Sequence, residues 1–264
     1  MMRNASIWML PQEANHNERE FEDFVDKHGQ SLPGTAIIIY LFVIFGIQRA
    51  MKKRPRLELR YLLVTWNAIL AAFSIIATVR LVPYFLWEIN EKGLHHTVCD
   101  NHYFDTKPMS YWSYLFTMSK LVELGDTVFV VLRKQKLIFL HYYHHITVLL
   151  FVFYSYPLKP GNCRWFMIMN FVVHSLMYSY YMLKALKVPV PKVISKWITT
   201  LQLLQMVVGV SINIYQVQVL RQGIDCVVTS GHITVAFLMY FSYALLFAKF
   251  FYDSYINVGK VKKT

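Results

Sequence analysis

Long apolar runs alternate with short polar or basic connectors from about residue 34 almost to the end of the chain. Crossing the hydrocarbon core of a bilayer takes about 20 mostly apolar helical residues. By that measure the pattern predicts seven spans, at 34–48, 61–89, 111–132, 137–156, 165–183, 193–219 and 232–256. The second is overlong and is expected to tilt, or to break near Pro83, because a proline removes a helix hydrogen bond. No internal repeat or low-complexity segment interrupts the series. The expected fold class is an all-α integral membrane protein with seven transmembrane helices. It forms one polytopic domain over residues 1–264, with tails at 1–33 and 257–264 and the spans between.

Composition strengthens the membrane assignment. The chain is 56% apolar and only 16% charged, against roughly 25% charged in a soluble domain. The net charge of +12 could suggest nucleic acid, but no single basic patch interleaved with aromatics is present. The Lys and Arg residues instead cluster between apolar runs. Sixteen fall in the connectors 49–60, 133–136 and 184–196 and the C-terminal tail, and eight fall in the others. The richer side is cytosolic by the positive-inside rule, so the N-terminus is expected to be lumenal and the C-terminus cytosolic. Asn4-Ala5-Ser6 is then a glycosylation sequon on the lumenal tail. Lys260 and Lys262, fifth and third from the end, fit a dilysine retrieval signal for the endoplasmic reticulum, or simply add to the cytosolic charge. Residues 1–34 have no apolar core ahead of a small-residue cleavage site, so no cleavable signal peptide is expected. Cys99 and Cys226 fall in predicted lumenal loops, where a disulfide can form. They are expected to bridge, leaving Cys163 free. No CxxC spacing suggests zinc.

The candidate chemistry lies inside the spans, where ionisable side chains are expensive and therefore functional by default. Lys120, Glu123 and Asp126 recur every three residues in the third span, within about a third of the helix circumference. They could equally form a self-neutralising ladder of ion pairs. In the fourth span, His141, His144 and His145 fall on one face. The fifth span places Asn170, His174, Met177, Tyr178 and Tyr181 on one stripe, with Tyr180 off it, and the sixth places Thr199, Gln202, Gln205, Gly209 and Asn213 on another. Either stripe alone could be interhelical hydrogen-bond glue. Four successive helices with polar faces imply a shared polar interior. Arg80 either joins it or snorkels to the lumenal surface. Imidazole can act as acid, base or nucleophile near neutral pH, and no cysteine is expected in this interior to carry a thioester. A di-iron site would need about eight histidines, and only four lie in spans, so no metal is expected. A transporter would need a path open alternately to both sides, whereas the lumenal half looks apolar.

These segments resemble the very-long-chain fatty acid elongases, the membrane 3-ketoacyl-CoA synthases. The resemblance rests on Lys120, Glu123, Asp126 and Thr127; on His141, His144 and His145; on His174, Met177, Tyr178, Tyr180 and Tyr181 with Asn170 ahead; and on Thr199, Gln202 and Gln205. The run Arg133 to Leu140 looks like the branch acting on saturated and monounsaturated chains, the palmitate-elongating type especially, although Tyr142 stands where that branch usually has Trp. The resemblance implies condensation of long-chain acyl-CoA with malonyl-CoA to 3-ketoacyl-CoA, CO2 and CoA, with no cofactor. It also implies a six-helix barrel around an acyl tunnel in the endoplasmic reticulum membrane. Partners would be membrane lipid and the reductases and dehydratase of the elongation cycle, and a homo-oligomer is compatible with such an assembly.

On this basis His144 is expected to take the acyl group, with His174 assisting. Asn170, Gln202 and Tyr181 would stabilise negative charge, and Asp126 would orient an imidazole. Lys136, Lys192 and Lys196 would hold the CoA phosphates or only set topology. From His144 to Tyr156 the fourth span covers 12 residues, about 18 Å, roughly the length of a chain of 14 to 16 carbons. Phe153, Tyr154 and Trp165 are the expected end wall.

Overall fold

The computed structural model describes residues 9–257, and every regular element among them is helical. The elements are α1 (Pro11–Ala14), α2 (Glu18–His28), α3 (Ser31–Ala50), α4 (Arg60–Cys99), α5 (Lys107–Glu123), α6 (Gly125–Leu132), α7 (Phe139–Ser155), α8 (Cys163–Ala185), α9 (Lys192–Arg221) and α10 (Ser230–Phe251). Short 3-10 turns cover Met51–Lys53 and His102–Asp105, and a π turn, Tyr252–Ile256, follows α10. Asn4, Lys260 and Lys262 lie outside the described residues.

Among the described residues four helices are long and apolar enough to cross a membrane: Ser31–Lys53, Arg60–Cys99, Lys192–Arg221 and Ser230–Ile256. The helices that fall short carry most of the polar motifs. α5 and α7 have 17 residues each and α6 has eight, because the helix expected over 111–132 is divided at Leu124. α8 has 23 residues, but Arg164, Asn170, His174 and several Ser and Tyr dilute it. α4 does break, though not at Pro83. The non-helical residue is Gly93, at φ +82°, a conformation that costs glycine nothing and other residues a steric clash.

α4 lies along α8, α8 against α9, α9 against α10, α10 against α7, α7 against α5 and α5 against α4, while α3 packs on α6 and α7. The contact of α9 with α10 depends on Gly209, where a Cβ would stand 2.3 Å from the Tyr240 ring. Small residues permit such close helix approach. Apolar side chains such as Phe42, Ile69, Val79 and Leu238 face outward, exposed, as lipid contact requires.

The bundle has two unlike ends. At the basic end Lys134 Nζ donates to the Arg54 carbonyl (2.8 Å) and Arg60 reaches the carbonyls of Ala185 and Leu186 (3.1 and 2.8 Å). At the other, Cys99 and Cys226 form a disulfide and Cys163 is free. There Val227 N donates to Cys99 O (2.8 Å) and Gly161 N to Val227 O (2.9 Å). This disulfide end is not the apolar region expected. Arg164 is fully buried and pairs with buried Glu88 at 2.9 Å, and its guanidinium also donates to the Asp100 carbonyl. Burial is tolerable because the charges pair. Arg80 neither joins the polar interior nor snorkels to water: it pairs with Glu13 of α1. The tail expected at 1–33 thus contains two helices packed on the bundle, and α3 already begins at Ser31.

Candidate functional site

Charged and polar side chains gather where α5 meets α8. Lys120 and Glu123, both buried, are bonded at 2.7 Å, and Lys120 Nζ also donates to Asn170 Oδ1 at 2.8 Å. An ammonium can only donate, so this contact fixes the orientation of the Asn170 amide. Its Nδ2 then donates to His174 Nε2 at 3.0 Å. A neutral imidazole accepting at Nε2 carries its proton on Nδ1, and that nitrogen faces Glu123 Oε2 at 3.9 Å. Lys120 and Asn170 together set the tautomer of His174.

The histidine box does not act as one face. His144 lines an internal cavity, with its ring centroid 5.1 Å from that of Tyr243. His141 turns instead to Thr127 Oγ1 (3.0 Å), which also meets the Tyr40 hydroxyl of α3 (2.7 Å). His145 is buried between its neighbours, 4.8 Å from the His141 ring and 5.5 Å from that of His144, and its Nδ1 has no partner.

Asp126 departs from the expected role. It accepts from Trp66 Nε1 (2.6 Å) and the Tyr178 hydroxyl (2.7 Å), and it bonds no imidazole. Asp126 stands in the first turn of α6 and faces α4 and α8. Of the two carboxylates, Glu123 is the one that approaches an imidazole, that of His174 at 3.9 Å. Two other expected contacts lie off the cavity. Gln202 Nε2 donates to Met177 Sδ at 3.3 Å, and Tyr181 is 46% exposed. Gln205, Asn170 and Tyr243 do line the cavity beside His144. Tyr243 and Trp66 carry no signal in the hydropathy pattern. Tyr243 lies three residues after Tyr240, on the same helix face, which is the only hint of its position. Lys136, Lys192 and Lys196 are exposed at the basic end, and none lines the cavity.

The lined region encloses about 690 Å³ of space between atoms, part of it open to the outside. It runs along α7 from His144 to Tyr156, about 18 Å at the helical rise. Its walls are apolar: Phe116, Val148, Phe151, Val152, Phe166, Met167, Met206 and Met239. It ends against Tyr103, Phe104 and Tyr156, not against the residues expected. Phe153 packs into a separate cluster with Leu149, Tyr154 is 41% exposed, and Trp165 lies edge-on to Phe85 at 4.7 Å. The cavity face of α7 is His144, Val148, Phe151, Val152 and Ser155, so Phe153 and Tyr154 point elsewhere. Cys163, expected outside the interior, lines the cavity. It does so at the far end, 3.9 Å from His232 Nε2.

The chain matches the family described as ELO, GNS1/SUR4, over residues 28–263. It is 46% identical to very long chain fatty acid elongase 6 of Drosophila melanogaster over 224 residues, 84% of this chain and 71% of that one. It is 45% identical over 225 residues to the Gallus gallus protein of the same name, and 44% identical over 226 residues to the human one. The last two alignments cover 85% and 86% of this chain and 84% of each relative. The family match begins at residue 28, after α1 and nearly all of α2, while the alignment to putative fatty acid elongase 3 of Caenorhabditis elegans, 40% identical over 259 residues, covers 97% of this chain.

Proposed function

Because the chain belongs to the GNS1/SUR4 family, whose matched members are named very long chain fatty acid elongases, we propose that it condenses long-chain saturated or monounsaturated acyl-CoA with malonyl-CoA. The products are 3-ketoacyl-CoA, CO2 and CoA. The observation that carries this is the cavity: an apolar channel about 18 Å long with His144 at its polar end and aromatic rings at the other. The relatives are named for elongation, not for transport or oxygenation, which sets those alternatives aside.

The acyl tail lies in the channel with its thioester at His144. The imidazole nitrogen attacks the thioester carbonyl, the C–S bond breaks, and CoA leaves as a thiolate that takes a proton. Malonyl-CoA then loses CO2, its C2 carbanion attacks the acyl-imidazole carbonyl, the C–N bond breaks, and the leaving imidazole takes up a proton from solvent to restore His144. Asn170, Gln205 and Tyr243 flank the carbonyl, where preorganised donors stabilise developing charge. His174, whose two nitrogens face Asn170 and Glu123, lies behind the cavity wall and holds the Asn170 amide in place beside the carbonyl.

The wider reading follows. The helix pairing supports a six-helix barrel of α4, α8, α9, α10, α7 and α5 with its continuation α6, with α3 outside it, and hence seven crossings. The disulfide end faces the lumen of the endoplasmic reticulum and the basic end the cytosol. The palmitate-elongating branch, with no cofactor and with separate reductases and a dehydratase completing the cycle, is the most economical assignment. The test is to incubate the purified chain with palmitoyl-CoA and malonyl-CoA and weigh product and enzyme. A 3-keto product two carbons longer is expected, and acyl-CoA alone should leave an acyl adduct that His144→Ala lacks. An active enzyme with no adduct under any quench would make the histidine a general base only. Absence of any condensation product would remove the function.

A further inference from the structure

The segment before residue 28, which the family match leaves out, packs on the blind end of the cavity. Phe21 of α2 is buried, with its ring edge-on to Tyr156 at 4.7 Å and to Tyr114 at 4.5 Å. Tyr156 is a cavity-end residue. Its hydroxyl is buried without a hydrogen-bond partner, so no polar contact anchors the ring. What holds the ring is packing, with Phe21 on one side and Phe104 at 6.0 Å on the other.

The segment itself is fastened by polar contacts to three other elements. Glu13, fully buried, accepts from Arg80 Nε of α4 at 3.0 Å and from Trp112 Nε1 of α5 at 2.8 Å. Lys107 Nζ donates to the His16 carbonyl at 2.9 Å. Lys159, in the connector after α7, pairs with Glu18 at 2.8 Å and with Glu22. The same ammonium sits 5.5 Å from the centroid of the Phe104 ring. The connector that carries the wall is therefore clamped to α2 by charge as well as by aromatic packing. Isolated surface ion pairs hold little, but these flank a buried aromatic contact that cannot yield without opening a void.

We infer that α1 and α2 form a strap that sets the longest acyl chain this enzyme accepts, with Phe21 as the positioning residue that keeps Tyr156 across the end of the cavity. This rests on the acyl reading of that cavity. The strap lies about 18 Å from His144 along α7, so it governs the methyl end of the substrate and leaves the reacting carbonyl alone. Relatives that share only the region from residue 28 onward would have their limit set by other means.

The test uses the full-length chain in membranes, a series of saturated acyl-CoAs rising two carbons at a time, malonyl-CoA, and mass spectrometry of the 3-keto products. Phe21→Ala should raise the relative rate on the first acyl-CoA beyond the wild-type limit by about tenfold, the discrimination of roughly one methylene in an apolar pocket. Rates on shorter chains should stay unchanged. Phe21→Trp should shorten the limit, and joint Glu18→Gln and Glu22→Gln should lengthen it less than Phe21→Ala. If Phe21→Ala fails to accumulate, Phe21→Leu and Phe21→Trp decide the matter by opposite shifts. Tyr156→Ala tests the cavity itself. Should it lengthen the products while every Phe21 variant keeps the wild-type profile, the strap has no such role and the acyl cavity stands. Should Tyr156→Ala also change nothing, the acyl reading fails first and the strap with it.

Discussion

The state of His174 is decided by its neighbours, Asn170 directly and Lys120 one step further back. Its proton sits on Nδ1 because Asn170 donates to Nε2, and Asn170 is turned that way because Lys120 claims its oxygen. Removing Lys120 frees the amide to rotate and leaves both tautomers available. Lys120→Met should therefore lower kcat by roughly a hundredfold or more, in the range of losing one preorganised donor, with little change in KM for malonyl-CoA. Steady-state kinetics on folded, membrane-inserted protein would check this, and equal loss in kcat and in protein abundance would reduce Lys120 to a structural role. His144→Ala and His174→Ala should each abolish condensation. The sequence pointed to these two histidines because imidazole in an apolar span has few innocent explanations. It misjudged Asp126, Gln202 and Tyr181 because helical periodicity gives a face but not what that face meets.

Helices show the opposite balance. Each predicted span falls on helical residues, the third on two separate helices, and four helices among the described residues are long and apolar enough to cross a membrane, since a run of apolar residues is legible wherever it occurs. The strap was not legible: residues 11–28 read as a polar tail because their apolar positions, Phe21 and Val25 among them, are sparse and far apart. The strap has a pH signature. Burial pushes the Glu13 carboxyl up, but hydrogen bonds from Arg80, the Leu10 N–H and Trp112 outweigh it and hold the group below its ordinary value of 4.5. A carboxylate held below its unfolded value stabilises docking above that value, and the contribution is lost as pH falls through the folded one. Protease access to α1 and α2 should thus change little from neutral pH to about 4.5 on Glu13's account and rise below it, whereas Glu13→Gln should be open throughout. Glu18 works the other way, being raised by burial despite Lys159, so the difference between the two proteins isolates Glu13. A curve that the substitution leaves unchanged would detach Glu13 from docking. The disulfide supports the same end. Cys99 and Cys226 are 127 residues apart, and such a bridge typically stabilises by roughly 2–4 kcal/mol. Reductant should lower the thermal midpoint of the wild type but not of Cys99→Ala with Cys226→Ala.

At the scale of the molecule, the charge asymmetry reads directly from the connectors. Its meaning for substrate does not, because one lysine can both fix topology and meet a phosphate. Lys136, Lys192 and Lys196 stand exposed at the basic end, the side from which the proposed acyl-CoA would approach. Replacing them with Gln should raise KM for acyl-CoA and flatten its salt dependence, as loss of a screened attraction requires. Kinetics unchanged at every ionic strength would leave them a topological role alone.

The aromatic end of the cavity carries one more consequence. On the proposed reading the acyl chain enters beside His144 and points towards Tyr103, Phe104 and Tyr156, so tail goes in first and head comes out last. A product cannot thread through and be re-primed from behind. It must back out completely, meet the next catalysts in the cycle, and queue again against every other chain in the membrane. Growth is then distributive: a diluting pool of unlabelled acyl-CoA should leave labelled chains advanced by one round only. Final length becomes the outcome of repeated competitions for one entrance.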